Sequence, residues 1–250
     1  MLEPVSDIID VTFNESESLY IWLDLLGFSK ELEKSGNKED LSEKLEAFRS
    51  SFRNISNKVM HLSDGILIAI DITRKPWNIN SIRGIFTQIA EGQINFFVNQ
   101  QQIVRGGIGI GETINEDNWK ASKFISSGMA KAYGLESKKI SWPVIGMDQD
   151  VLSELSKNFN ASQEQILKLL NLSTSVNEAG DTIYFIDFAK QIQKTESSYK
   201  QSVEMYFSNK IDEFEKNVYP NKVRLKYIWL YKYFKQSWGI DIPNYKEWVL

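Results

Sequence analysis

Ser18-Leu19-Tyr20-Ile21-Trp22-Leu23-Asp24-Leu25-Leu26 is the stretch from which the rest of the chain is read. It is aromatic, β-branched and almost continuously apolar, which predicts a buried strand. One aspartate interrupts it near the end. A carboxylate inside a buried strand is costly unless a cation or hydrogen-bond donors meet it. Gly27-Phe28-Ser29 ends the run, and a glycine there lets backbone amides converge on an anion. A plain turn-capping aspartate is the other reading of the same residues.

Working outward, Leu41, Leu45, Phe48, Phe52 and Ile55 fall at steps of three and four, the spacing of an amphipathic helix over Leu41 to Asn57. Val59-Met60-His61-Leu62 and Ile66-Leu67-Ile68-Ala69-Ile70 flank Ser63-Asp64-Gly65, and two apolar runs around Asp-Gly predict a hairpin. A helix is expected over Ile82 to Asn99, a glycine-rich strand over Gln102 to Gly111, a third helix over Trp119 to Leu135, and an edge strand over Ile140 to Ile145 interrupted by Pro143. The order is β-α-β-β-α-β with additions, an α+β ferredoxin-like core. The texture then changes. Short helix and strand patterns lead to two longer helices, Tyr199 to Val218 and Val223 to Trp238, the last crowded with Tyr227, Trp229, Tyr231, Tyr233, Phe234 and Trp238. The expected organisation is a core over 15–148 and a mostly helical extension over 149–250, packed on the core or on a second subunit.

Composition narrows the chemistry. The 250 residues have 42% apolar content, 25% charged content, no cysteine, one histidine and a formal net charge of −4. A disulfide framework and thiolate chemistry are excluded. A mildly acidic chain argues against nucleic acid as a partner. The opening MLEPVSDIIDVTF has no basic n-region, and no apolar stretch reaches membrane-spanning length. The expectation is a cytoplasmic protein with no membrane partner. A metal site here is built from oxygen, which favours Mg²⁺ or Mn²⁺ over Zn²⁺.

Three pieces carry the chemistry together: Asp24 with its following glycine, Asp64 in the hairpin, and Val104-Arg105-Gly106-Gly107-Ile108-Gly109-Ile110-Gly111-Glu112. If the strand of Asp24 lies beside the hairpin, two carboxylates meet at one sheet edge, and a divalent cation is their natural partner. Glycines inside a strand signal close approach by a ligand or another backbone. Arg105 either faces phosphate or forms a structural ion pair. The single histidine, His61, reads as a satisfied structural residue.

In order, WLDLLGF, LSDGILIAID, VRGGIGIGE and GMAKAYGLE resemble the class III adenylate and guanylate cyclase homology domain. They are most similar to the stand-alone pyrimidine cyclases of bacterial antiphage signalling, the Pycsar cyclases. The resemblance spans roughly residues 18 to 148. It implies that Asp24 and Asp64, with the backbone of Leu25, hold two Mg²⁺ or Mn²⁺ ions per site. Amides around Leu25, Leu26, Gly27 and Phe28 would cradle the β- and γ-phosphates, and Arg105 would act in catalysis. It implies a homodimer, a nucleoside triphosphate substrate, and an effector reached only through the cyclic nucleotide.

The position that reads a purine in this family falls here on Met60, which points to a pyrimidine, UTP before CTP. The Asn and Arg typical of the helix after the glycine strand are replaced by Ala130 and Gly134, with Lys123, Lys131 or Arg105 as possible substitutes. A catalytically degenerate nucleotide-binding domain is the alternative.

Overall fold

The structure is a computed structural model that describes residues 16–28, 32–33, 38–55, 59–72, 79–114, 125–191, 197–216 and 220–242. The first half runs β1 (Ser16–Leu25), α1 (Lys38–Phe52), β2 (Val59–Leu62), β3 (Gly65–Asp71), α2 (Ile79–Gln100) and β4 (Val104–Ile114). The strands lie in the order β2-β3-β1-β4, each antiparallel to its neighbour, the arrangement expected of a ferredoxin-like core. Alternation along β1 sorts its side chains by face. Leu19, Ile21, Leu23 and Leu25 enter the main core with Phe48 and Phe52 of α1 and Phe86, Ile89 and Phe96 of α2. Tyr20 and Trp22 belong to the opposite face, in a smaller cluster with Met60, Leu67, Ala69 and Ala132.

A short β5 (Ile125–Ser126) pairs with the end of β4 and leads into α3 (Ser127–Lys138). The third helix therefore begins later than the Trp119 expected from periodicity. Residues 115–124 lie outside the described residues, and Ser126 caps the helix by accepting from the Met129 amide at 3.2 Å. The backbone of α3 lies directly on β4. A Cβ at Gly107 would strike the Ala132 carbonyl, one at Gly109 would come within 2.5 Å of the Gly128 carbonyl oxygen, and one at Gly111 would strike the Gly128 amide. The glycines of β4 thus answer to a helix backbone.

The sheet continues through β6 (Ile145–Met147), which pairs parallel with β4 and antiparallel with β8 (Thr182–Ile186); β7 (Leu172–Val176) closes that side. The edge strand expected at Ile140 to Ile145 is corrected on two counts. Pro143 precedes the strand, and the strand is interior, with neighbours on both sides. The remaining helices are α4 (Gln149–Phe159), α5 (Gln163–Leu169), α6 (Phe188–Gln191), α7 (Ser197–Lys216) and α8 (Asn221–Trp238). The sheet thus runs through residue 148 into the segment beyond it. Aromatic packing docks α8. Trp229 stacks between Trp142 and Tyr233, and Trp238 lies on Phe234. No helix of the described residues is long and apolar enough to cross a membrane.

A polar staple fixes the same helix. The buried Asp187 accepts from the Tyr233 hydroxyl at 2.6 Å and from the Lys190 amide at 3.0 Å, and the Tyr233 oxygen accepts from the Ala189 amide at 2.9 Å. Ser173 also donates to Asp187. Tyr233→Phe leaves a buried carboxylate short of a donor, so a loss of about 1–3 kcal/mol is expected in urea denaturation. Gly107→Ala is expected to cost at least the upper part of the ~1–3 kcal/mol typical of overpacking. Gly134→Ala, on the same helix but away from that contact, with nothing within 4 Å of the new Cβ, is expected to stabilise by about 0.5–1 kcal/mol.

Candidate functional site

The register of three strands sets the site. Asp24 pairs with Gly65 on one side and Arg105 on the other, at the end of β1. Gly65 in turn pairs with Leu62, so the two-residue loop of the hairpin is Ser63-Asp64, with the positive φ of 55° at Ser63. This shifts the turn one residue from the Asp64-Gly65 pair expected from the sequence. Gly65 is the first residue of β3, where a Cβ would come within 2.6 Å of the Trp22 ring. The Arg49 guanidinium on α1 donates to the Ser63 carbonyl at 3.5 Å and holds the loop from below. Asp64 consequently lies beside Asp24, within electrostatic reach of it.

Arg105 joins two acids. Its Nε lies 3.4 Å from Asp24 Oδ2 and its Nη2 lies 2.5 Å from Glu136 Oε1. The Glu136 side chain is only 4% exposed, whereas Asp24 and Arg105 are 21% and 22% exposed. Glu136 is therefore the buried anchor, and Asp24 the partner nearer to solvent. Burial raises the Asp24 carboxyl above its ordinary range; Arg105 opposes the rise and the negative charge of Asp64 adds to it. Burial likewise raises Glu136, again opposed by Arg105. Lys226 of α8 lies within the field of this group, and its pKa is lowered first by burial and then by Arg105.

The sequence reading did not single out Glu136 or Lys226. A signal existed for the first. Ala132, Leu135 and Glu136 lie on one buried stripe of α3, where an acid requires a partner. Lys226 had no comparable local signal.

The other candidates fall as follows. The Leu26 amide donates to the Ile103 carbonyl at 2.9 Å, which removes it from the amides available to phosphate. Its carbonyl accepts from Gln102 at 3.0 Å. Leu25 and Phe28 bury their side chains in the main core, and Gly27 is exposed with φ +85°. Met60 shares the face of Asp24, packed with Tyr20, Leu67, Ala69 and Ala132. His61 is exposed on the opposite face, near Arg49 and Glu46 of α1, with its pKa lowered mainly by desolvation. Lys123 lies outside the described residues. Lys131 donates to the Ile110 carbonyl at 3.1 Å, a structural use. Ala130 is exposed and Gly134 half-buried.

Two carboxylates, with no third acid or histidine grouped beside them among the described residues, are few ligands for a metal held by protein alone. They fit a Mg²⁺-type ion, which one or two carboxylates hold together with substrate phosphates. The mutual repulsion of Asp24 and Asp64 is what such a cation relieves.

No protein-family model matches the chain, and no curated protein matches it by sequence. Solved structures match by shape. The adenylyl cyclase CyaB from P. aeruginosa gives a TM-score of 0.50 at 12% identity, covering 69% of this chain and 94% of that one. The dimeric guanylyl cyclase domain of the RhoGC fusion protein from Blastocladiella emersonii gives 0.46 at 13% identity, covering 69% and 96%. The fold is that of the cyclase homology domain, an α+β sheet with flanking helices.

Because folding raises the Asp24 pKa, its contribution to stability is present below the unfolded value and is lost as pH rises through the folded one. In buffer free of divalent cations, Asp24→Asn is therefore expected to melt above the parent at neutral pH. The gap should close as pH falls towards about 4, the ordinary carboxylate range. Thermal melts across that interval measure it.

Proposed function

We propose that the chain is a metal-dependent nucleotide cyclase that converts a pyrimidine nucleoside triphosphate, UTP before CTP, into the 3′,5′-cyclic nucleotide and pyrophosphate. The observation that carries this reading is the juxtaposition of Asp24, at the end of β1, and Asp64, in the adjoining hairpin loop, beside Arg105, in a cyclase-type fold. In the reaction, the ribose 3′-oxygen forms a bond to the α-phosphorus, the α–β phosphoanhydride bond breaks, the hydroxyl proton passes to solvent and pyrophosphate leaves. Mg²⁺ or Mn²⁺, two ions per site, would supply charge neutralisation on the phosphates and acidify the 3′-hydroxyl.

The residues of the chain supply position and charge. Asp24 and Asp64 are the metal ligands, with the Leu25 backbone beside them. The backbone at Gly27 and Phe28 remains the candidate cradle for phosphate. Arg105, anchored by the buried Glu136, keeps its guanidinium in place when Asp24 turns to a cation. Met60 supports the pyrimidine assignment, because a thioether has no donor that selects a purine edge. The site would be completed in a homodimer, and the product would serve as a second messenger in antiphage defence.

A second reading has its own support. Ala130 and Gly134 carry no group able to stabilise developing charge, which favours a domain that binds nucleotide without turning it over.

Incubation with each nucleoside triphosphate and Mn²⁺ separates the two. The expected result is cUMP with stoichiometric pyrophosphate, less cCMP, and a fall of roughly 10²-fold or more in Asp24→Ala and Asp64→Ala. Metal-dependent binding without pyrophosphate release would favour the second reading. Absence of both binding and product would overturn both.

A further inference from the structure

A second concave site lies at the far side of the sheet. β7 is the outermost strand there, and β1, with Asp24, is four strands away. At a strand spacing of about 4.8 Å, the two places are roughly 20 Å apart. Between β7 and α8 opens a cleft of about 570 Å³, within the size range of small-molecule sites. Ser173 and Ser175 alternate onto one face of β7, the face that carries Phe185 on the neighbouring strand. Phe185 meets Trp229 in a T-shaped contact with centroids 5.9 Å apart, so this face is turned to α8. Trp229, Lys232, Tyr233 and Gln236 stand at i, i+3, i+4 and i+7 and bring one side of α8 to the cleft.

The floor of the cleft is already satisfied. Asp187 accepts from the Tyr233 hydroxyl, the Ser173 hydroxyl and the Lys190 amide, and Lys190 Nζ lies 3.2 Å from its Oδ2. Lys190 Nζ also donates to Ser173 Oγ at 2.7 Å, which fixes the ammonium and leaves it one proton to give. The donors around it are not satisfied. Among the described residues, the Ser175 hydroxyl, the Trp229 indole N–H and the Lys232 ammonium have no partner. Ser175 and Trp229 are half-buried, where such groups usually find an acceptor. Both faces of the Trp229 ring are covered, by Trp142 and Tyr233. The ring therefore offers the cleft its edge, which carries the N–H and the positive part of the quadrupole.

These donors select an anion. The charged groups that line the cleft are Lys190, Lys232 and Asp187, two ammoniums against one carboxylate, which leaves one net positive charge. A carboxylate matches that charge, whereas a phosphomonoester carries about −1.5 to −2. A lone inorganic anion would leave most of the cleft empty, and the rings of Phe185 and Trp229 pair best with another ring. We propose that the cleft between β7 and α8 binds an aromatic monocarboxylate, its carboxylate held by Lys190, Ser175 and the Trp229 N–H, with Lys232 at the mouth. The site is separate from the Asp24–Asp64 pair and gives the segment beyond residue 148 a ligand of its own.

Calorimetric titration of the full chain with 2-naphthoate tests it, with 2-naphthamide as the neutral isostere and inorganic phosphate as the simple anion. 2-Naphthoate is expected to bind, and 2-naphthamide to bind at least roughly 10-fold more weakly, the effect of losing charge-assisted hydrogen bonds. Ser175→Ala should weaken 2-naphthoate by about 10-fold. Lys232→Gln should weaken it by about 2- to 5-fold, a smaller effect because that ammonium is exposed. Neither side chain has a partner among the described residues, so both variants should melt with the parent. Asp24→Asn should leave 2-naphthoate binding unchanged.

No binding of 2-naphthoate at millimolar concentration would overturn the proposal. Equal affinity for 2-naphthamide would reduce the cleft to an apolar surface and overturn it as well. Inorganic phosphate that binds more tightly than 2-naphthoate would overturn the carboxylate assignment. Unchanged binding in both Ser175→Ala and Lys232→Gln would place the ligand elsewhere, and a loss in Asp24→Asn would place it at the metal-type carboxylates; either result sinks the separate site. None of these outcomes bears on the cyclase reading.

Discussion

Helix α3 sits with its backbone directly on the glycines of β4, and the site inherits its geometry from that contact. Side chains normally hold a helix well off a sheet. Here glycines at 107, 109 and 111 on the strand, and at 128 on the helix, remove that spacer. The close seating buries the stripe that ends at Glu136 and brings its carboxylate to Arg105 on the same strand. It also leaves Trp22 and Tyr20 under the helix, with Asp24 two residues further along the same face, at the partly exposed end of the strand. A larger residue at any of the β4 contacts would push the helix away and detach Arg105 from its anchor.

The charges then form a graded set from interior to solvent. Glu136 is deeply buried, Arg105 bridges outwards from it, and Asp24 and Asp64 stand at the edge. A buried acid stripped of its ion-pair partner is strongly unfavourable, so the Glu136–Arg105 pair is the half expected to persist. The Asp24–Arg105 contact is longer and more exposed, and is the half able to exchange. Raised pKa values at both acids reflect the cost of gathering negative charge in a partly dry place. Functional sites commonly carry that kind of cost, because the bound cation or anion relieves it.

The C-terminal half is bound into this arrangement by the sheet and by aromatic packing. Strands β7 and β8 extend the same sheet, and α8 closes over it through Trp229, Tyr233 and Phe234. In the fold, Trp142 and Tyr233 stack on Trp229, so its ring serves packing.

The sequence by itself determined the local elements and the first half of the topology. Hydrophobic period is a local property, and the runs at 18–26, 59–70 and 104–111 are strong. It also marked Asp24 and Asp64, since an acid in an apolar run and an acid in a hairpin loop are conspicuous on their own. The start of α4 was legible too, with Asp148 as cap ahead of Val151, Leu152 and Leu155, although the sequence reading passed over it. β7, with its polar Leu-Ser-Thr-Ser-Val, gave almost no signal.

Only the tertiary structure decided what the glycines of β4 are for and which acid anchors Arg105. Arg105 meets Asp24 across a separation of 81 residues, and the Leu26 amide is occupied by Ile103 from a different element. Such pairings arise from chain reversal and packing of distant elements, and no residue pattern within a short window encodes them.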